Sequence, residues 1–90
     1  INSGEVQFLT DVDFSGSFTF NAGVSINGNG HIVNMGNGAA LSLASTSTVT
    51  MSDITVKKLS SGVGGKIVLN TGSRLNLTDA TLQFTGNYTW

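Results

Sequence analysis

Few residues in this chain could do acid–base or metal chemistry. Carboxylates come from Glu5, Asp11, Asp13, Asp53 and Asp79, cations from Lys57, Lys58, Lys66 and Arg74, and His31 is the lone imidazole. Hydrolysis of a glycosidic bond needs two or three carboxylates converging across a cleft. Calcium needs several oxygen donors on one wall. Asp53 and Asp79 stand at equivalent places in a repeat described below, which puts their side chains within about 5–7 Å of each other. Asn27 or Asn29 extends that row towards a calcium site. The simpler reading is that Asp at a turn bonds its own backbone, and we expect no bound metal.

The other candidates fall to similar arguments. Asp11 and Asp13 flank an apolar Val12 and share an outward face with Glu5, which reads as a solvated surface. A single His supports neither a metal site nor a catalytic triad. There is no Cys, and no Ser lies in a nucleophile elbow. Gly28-Asn29-Gly30 and Gly36-Asn37-Gly38 precede no helical pattern, so they read as corners rather than phosphate cradles. The run from Ser45 to Ser52 suggests an ice-binding threonine row. That row breaks one repeat later, where Thr48-Val49-Thr50 is followed by Arg74-Leu75-Asn76. Asn76-Leu-Thr and Asn87-Tyr-Thr are glycosylation acceptors expected by chance in so Asn- and Thr-rich a chain. No catalytic residue, cofactor or metal ligand is assigned.

The elements that position these residues are strands. Apolar residues alternate in short pairs: Val6 and Phe8, Val12 and Phe14, Phe18 and Phe20, Val24 and Ile26. The series continues through Leu41 and Leu43, Val49 and Met51, Ile54 and Val56, Ile67 and Leu69, Leu75 and Leu77, and Leu82 and Phe84. Period two puts each pair on one face of a strand, and no stretch keeps helical spacing. Moved along by 26 residues, Leu41, Leu43, Val49, Met51, Ile54 and Val56 fall on Ile67, Leu69, Leu75, Leu77, Ala80 and Leu82. The preceding repeat is 23 to 25 residues long, as expected where length changes are confined to corners. Asn27 to Gly30, Ser52-Asp53 and Thr78-Asp79 are those corners, since Asn, Asp and Gly tolerate the left-handed backbone a sharp turn needs. The pattern predicts inward-facing Leu43, Met51, Val56, Leu69, Leu77 and Leu82, with truncation of Leu77 costing on the order of 2–5 kcal/mol.

Composition narrows the class. Ninety residues make one domain, 1–90, with 12 Gly and no Pro or Cys, and a net charge of −1. That charge gives no footprint for nucleic acid. No apolar run is long enough to span a bilayer, so no membrane insertion is expected. No signal peptide is evident, and Ile1 in place of Met reads as the start of a processed or excised piece. Low charge with abundant Ser, Thr, Asn and Gly suits an extracellular or cell-surface location.

The string Ile26-Asn-Gly-Asn-Gly-His-Ile-Val33 resembles a coil of the right-handed parallel β-helix proteins. Gly64-Gly-Lys-Ile67, Phe18-Thr-Phe-Asn21 and Phe84-Thr-Gly-Asn87 are similar to passenger repeats of bacterial surface adhesins of the polymorphic membrane protein type, although Lys66 departs from their Gly-Gly-Ala pattern. The resemblance implies an all-β fold: one short right-handed parallel β-helix, or β-solenoid, of about four coils with three strands each. It also implies a glycan or host-surface receptor as a partner, and many such folds act on polysaccharides. The expected function is structural and non-enzymatic: an extracellular solenoid that self-assembles end to end into a fibre or forms part of a surface adhesin. The alternative is a fragment of a polysaccharide lyase or hydrolase without its catalytic coils. An uncapped strand edge recruits another strand, and neither end of the chain carries a cap pattern. The expected partner is therefore a second copy stacked head to tail. Val6, Phe8, Val12 and Phe14 at one end and Tyr88 and Trp90 at the other are the expected assembly interface, with the C-terminal aromatic strand completing the coil begun by the next copy's first two strands.

Overall fold

A computed structural model describes residues 4–21, 23–61 and 64–88. It is all-β, with no helix among the described residues, and every strand pair is parallel. Nine strands occur in chain order: β1 Gly4–Gln7, β2 Val12–Phe14, β3 Ser17–Phe20, β4 Val24–Asn27, β5 Ile32–Met35, β6 Ala40–Leu43, β7 Thr48–Leu59, β8 Lys66–Leu69 and β9 Arg74–Phe84. β3, β6 and β8 form one sheet, and the other six strands form the second.

The register is the one the repeat predicts. In one stack Val6 lies beside Ile26, Ile26 beside Met51, and Met51 beside Leu77. In another, Val12, Val33, Val56 and Leu82 follow one another. In the third, Phe18, Leu41 and Ile67 do so. Inward side chains thus stack on inward side chains, and Leu43, Val49, Met51, Met35, Val56, Leu59 and Ile67 are sealed from solvent. Parallel pairing on this scale requires a long connection between partners, and here each connection is itself made of the strands of the other stacks.

Two corners differ from expectation. Ser52-Asp53 and Thr78-Asp79 do not separate short strands: β7 and β9 run through them unbroken. A single left-handed residue, Asp53 at φ 51° or Asp79 at φ 50°, re-aims the chain while pairing continues on both sides, Ser52 to Thr78 and Ile54 to Ala80. β7 consequently belongs to two stacks, pairing with β4 through its first half and β5 through its second. The Asn27–Gly30 corner is longer. There Asn29 at φ 52° and Gly30 at φ 80° make the turn, and Gly28 and Gly30 donate to Ser52 and Asp53 below them, each at 2.8 Å.

The inward set also needs one correction. Leu43, Met51 and Val56 are buried, and Leu69 and Leu82 pack against the core. Leu77, however, is 43% exposed. Its orientation matches the repeat, but β9 is the last strand of its stack, so no described strand covers its far side. The expected cost of Leu77→Ala therefore applies to its buried counterparts and not to Leu77 itself.

Candidate assembly surfaces at the two ends

Four of the side chains that could do chemistry, Glu5, Asp11, Asp13 and His31, are committed locally. The Asp11 carboxylate accepts the Ile32 N–H at 3.0 Å and lies 3.2 Å from His31 Nδ1. The Ile32 N–H holds that carboxyl below the usual aspartate range against an opposing desolvation, with His31 and Lys57 adding lesser lowering effects. Asp11 thus ties the loop after β1 to the start of β5. Asp13 accepts from the Asn34 amide at 3.2 Å, and Glu5 from the Gln7 amide at 2.7 Å. Asp53 and Asp79 are exposed, and among the described residues no three His, Cys, Asp or Glu side chains gather as a metal site would require. Calcium or a chelator should leave the melting temperature unchanged. A rise of several degrees with calcium that disappears in Asp79→Asn would overturn that expectation.

The ends of the stacks are different. At the N-terminal end, Val6, Phe8, Val12 and Phe14 line an apolar cavity of about 240 Å³. Phe18 and Phe20 complete its wall, their rings 5.1 Å apart and edge to face. Ile26, Val33 and Met51, among others, line its inner part. Sequence pairing placed Phe18 and Phe20 in the core. What it lacked was the consequence of their being in the first strand of a stack, where one side of each ring has no covering strand. Leu9, beside this end, is 88% exposed.

The edges beside the cavity are open, and their polarity can be read from the bonds. Phe8 donates to Asn27 at 3.0 Å, so alternate residues of β1 bond towards β4. The N–H and C=O groups of Glu5 and Gln7, between them, point away from the molecule. At the C-terminal end Arg74 donates to Ser47 at 2.9 Å. The groups of Leu75 and Leu77 therefore point away from β7 towards the other open edge.

Tyr88 is not where the head-to-tail expectation put it. No strand follows Phe84 among the described residues. Thr85 donates to Leu59 and Ser61 donates to Asn87, each at 2.9 Å, which lays the segment along the end of β7. The Tyr88 ring then packs edge to face on Phe84 at 5.0 Å. Its hydroxyl accepts the Ile67 N–H and donates to the Ile67 C=O, both at 2.6 Å. One hydroxyl so occupies both edge groups of the middle of β8, within its own chain. The third stack has three strands where the other two have four layers, and Tyr88 fills the missing place with a side chain. Its residue type was legible in the sequence, but this use was not, because the reach of a side chain to a neighbouring edge leaves no periodic trace. Trp90 lies outside the described residues.

Burial pushes the Tyr88 hydroxyl above the ordinary tyrosine range, outweighing the opposing effect of the Ile67 backbone bond. A raised pKa means that docking contributes stability below pH about 10, lost as pH rises through the folded-state value. The chain has one tyrosine, so tyrosinate absorbance reports it alone. It should appear at higher pH than in an unfolded control; titration at or below the control value would contradict the docked hydroxyl.

No known protein family, curated protein or solved structure matches this chain.

Proposed function

We propose that the chain is a structural, non-enzymatic unit of a right-handed parallel β-solenoid with about four coils. In this reading it acts at the cell surface or outside the cell, as a fibre subunit stacked end to end or as a section of an adhesin. One observation carries the proposal: an apolar interior opens at the N-terminal end between β1, β2 and β3, whose outer edges pair with no strand among the described residues. A finished, freestanding domain covers such an interior; a section of a stack does not. The in-register succession of Val6, Ile26, Met51 and Leu77 supports the coil count, and the strong right-handed preference of parallel crossovers supports the hand. The acids are scattered, with Glu5, Asp11 and Asp13 each bonded to a different neighbour, which favours this reading over the polysaccharide-enzyme fragment. A glycan or host-surface receptor is the partner an adhesin of this kind would have.

Two measurements test the reading. Paired substitutions Ser25→Cys with Thr50→Cys, and Thr50→Cys with Asn76→Cys, put thiols on outward partners in adjacent strands. Both pairs should oxidise to intramolecular disulfides without loss of fold, and failure of both would remove the coil arrangement. Depolymerisation assays on acidic and neutral glycans, with and without calcium, should show no turnover. Robust turnover by this chain would replace the scaffold reading with the enzymatic one.

A further inference from the structure

We infer that the N-terminal end is a docking surface for the C-terminal end of a second copy, joined by β9 of one copy pairing in parallel with β1 and β2 of the next. This deepens the solenoid reading and rests on it. Three observations select a second copy as the occupant.

The first is edge polarity. At every internal junction of the first stack the preceding strand offers the backbone groups of its inward residues, and the following strand offers those of its outward residues. Phe8 donating to Asn27 and Gly28 donating to Ser52 fix this alternation. The free edge of β9 offers Leu75 and Leu77, which are inward residues, and the free edge of β1 offers Glu5 and Gln7, which are outward ones. The two edges therefore match as internal junctions do, with no slip in register.

The second is side-chain continuity. In the register of the chain itself, Leu77 would meet Val6 of the incoming copy and Leu82 would meet Val12. The half-exposed face of Leu77 and the apolar cavity beside Val6 and Val12 then cover each other. Tyr88 already fills the place in the third stack, so the joint needs no further strand there.

The third is charge. Residues 1–52 carry Glu5, Asp11 and Asp13 and no Lys or Arg, while Lys57, Lys58, Lys66 and Arg74 all lie beyond them, with Asp53 and Asp79. The first layer is acidic, whereas the last layer carries only Arg74 and Asp79 and is neutral, with Lys57, Lys58 and Lys66 in the layer behind it; this distribution disfavours contact between two N-terminal ends and favours head-to-tail contact. The continued register places Glu5 of the incoming copy beside Asn76 and diagonal to Arg74, within reach of its long side chain. Such a contact is heterologous and does not close on itself, so it propagates.

The test uses edge-blocking prolines in the full chain. Gln7→Pro removes an N–H only from the free edge of β1, and Leu77→Pro does the same on β9. By light scattering over rising concentration, the unmodified chain should form species of increasing mass. Each blocked variant should stay at the mass of one chain, and their equimolar mixture should double in mass and stop. A second set guards against misfolded variants. Glu5→Arg and Arg74→Glu should each assemble several-fold less well alone, and recover on mixing, because every joint then again pairs opposite charges. The inference is overturned if the unmodified chain stays monomeric, if one blocked variant dimerises alone, or if the charge variants do not recover on mixing. The joint alone fails if the chain stays monomeric while both disulfide pairs form; absence of the disulfides removes the solenoid reading beneath it.

Discussion

Leu43→Ala should lower the unfolding free energy by on the order of 2–5 kcal/mol, because it empties a site with no room to relax. Leu43 has no exposed surface and lies between Phe20 and Leu69 in the third stack. A loss of that size is a large part of the stability of so small a domain. Leu77→Ala removes the same atoms from the same kind of inward position, yet it should cost distinctly less in the isolated chain, since 43% of Leu77 remains in contact with water. Urea denaturation of both variants checks this. Equal costs would mean that Leu77 is covered, either by a neighbouring copy at the working concentration or by a packing other than the one described.

Gly28→Ala should also be clearly destabilising, for an unrelated reason. A β-carbon at Gly28 would stand 2.6 Å from the Asp53 carbonyl oxygen and 2.7 Å from the Ile54 β-carbon. Backbone cannot yield as a flexible side chain does. The Asn27–Gly30 corner must then lift off the Asp53 bend, at the risk of the 2.8 Å bonds from Gly28 to Ser52 and from Gly30 to Asp53. We expect a cost of about 1–3 kcal/mol. Alanine at Gly30, where φ is 80° but no atom lies within 4 Å, should act through backbone strain alone and cost about 1–2 kcal/mol. An alanine at Gly28 that melts with the unmodified chain would show that the two corners are not stacked.

The sequence made the stacks legible because their code is short and repeated. Val49 and Met51 on Leu75 and Leu77, like Leu41 and Leu43 on Ile67 and Leu69, follow from alternation plus a shift of 26, and the pairing has that register. The unbroken run of β7 and β9 through Asp53 and Asp79 was not legible. A turn residue signals a change of direction, and it does not say whether pairing survives the change. Met35 was missed as an inward residue because Ile32 and Val33 form an adjacent apolar pair that obscures which face points in; the answer is Val33 and Met35. The ends were hardest. Whether Phe14 or Leu77 is covered depends on what lies beyond the first and last strand, and the alternation within those strands does not encode it.

Propagation requires that these ends meet. Electron microscopy of the unmodified chain at high concentration, with image reconstruction, tests that most directly. Four stacked layers spaced about 4.8 Å apart predict unbranched filaments rising by roughly 19 Å per copy, with strands perpendicular to the axis and right-handed coils continuous across each joint. Separate particles of single-chain mass at every concentration, or filaments in which β9 does not lie against β1 and β2 of the next copy, would contradict it.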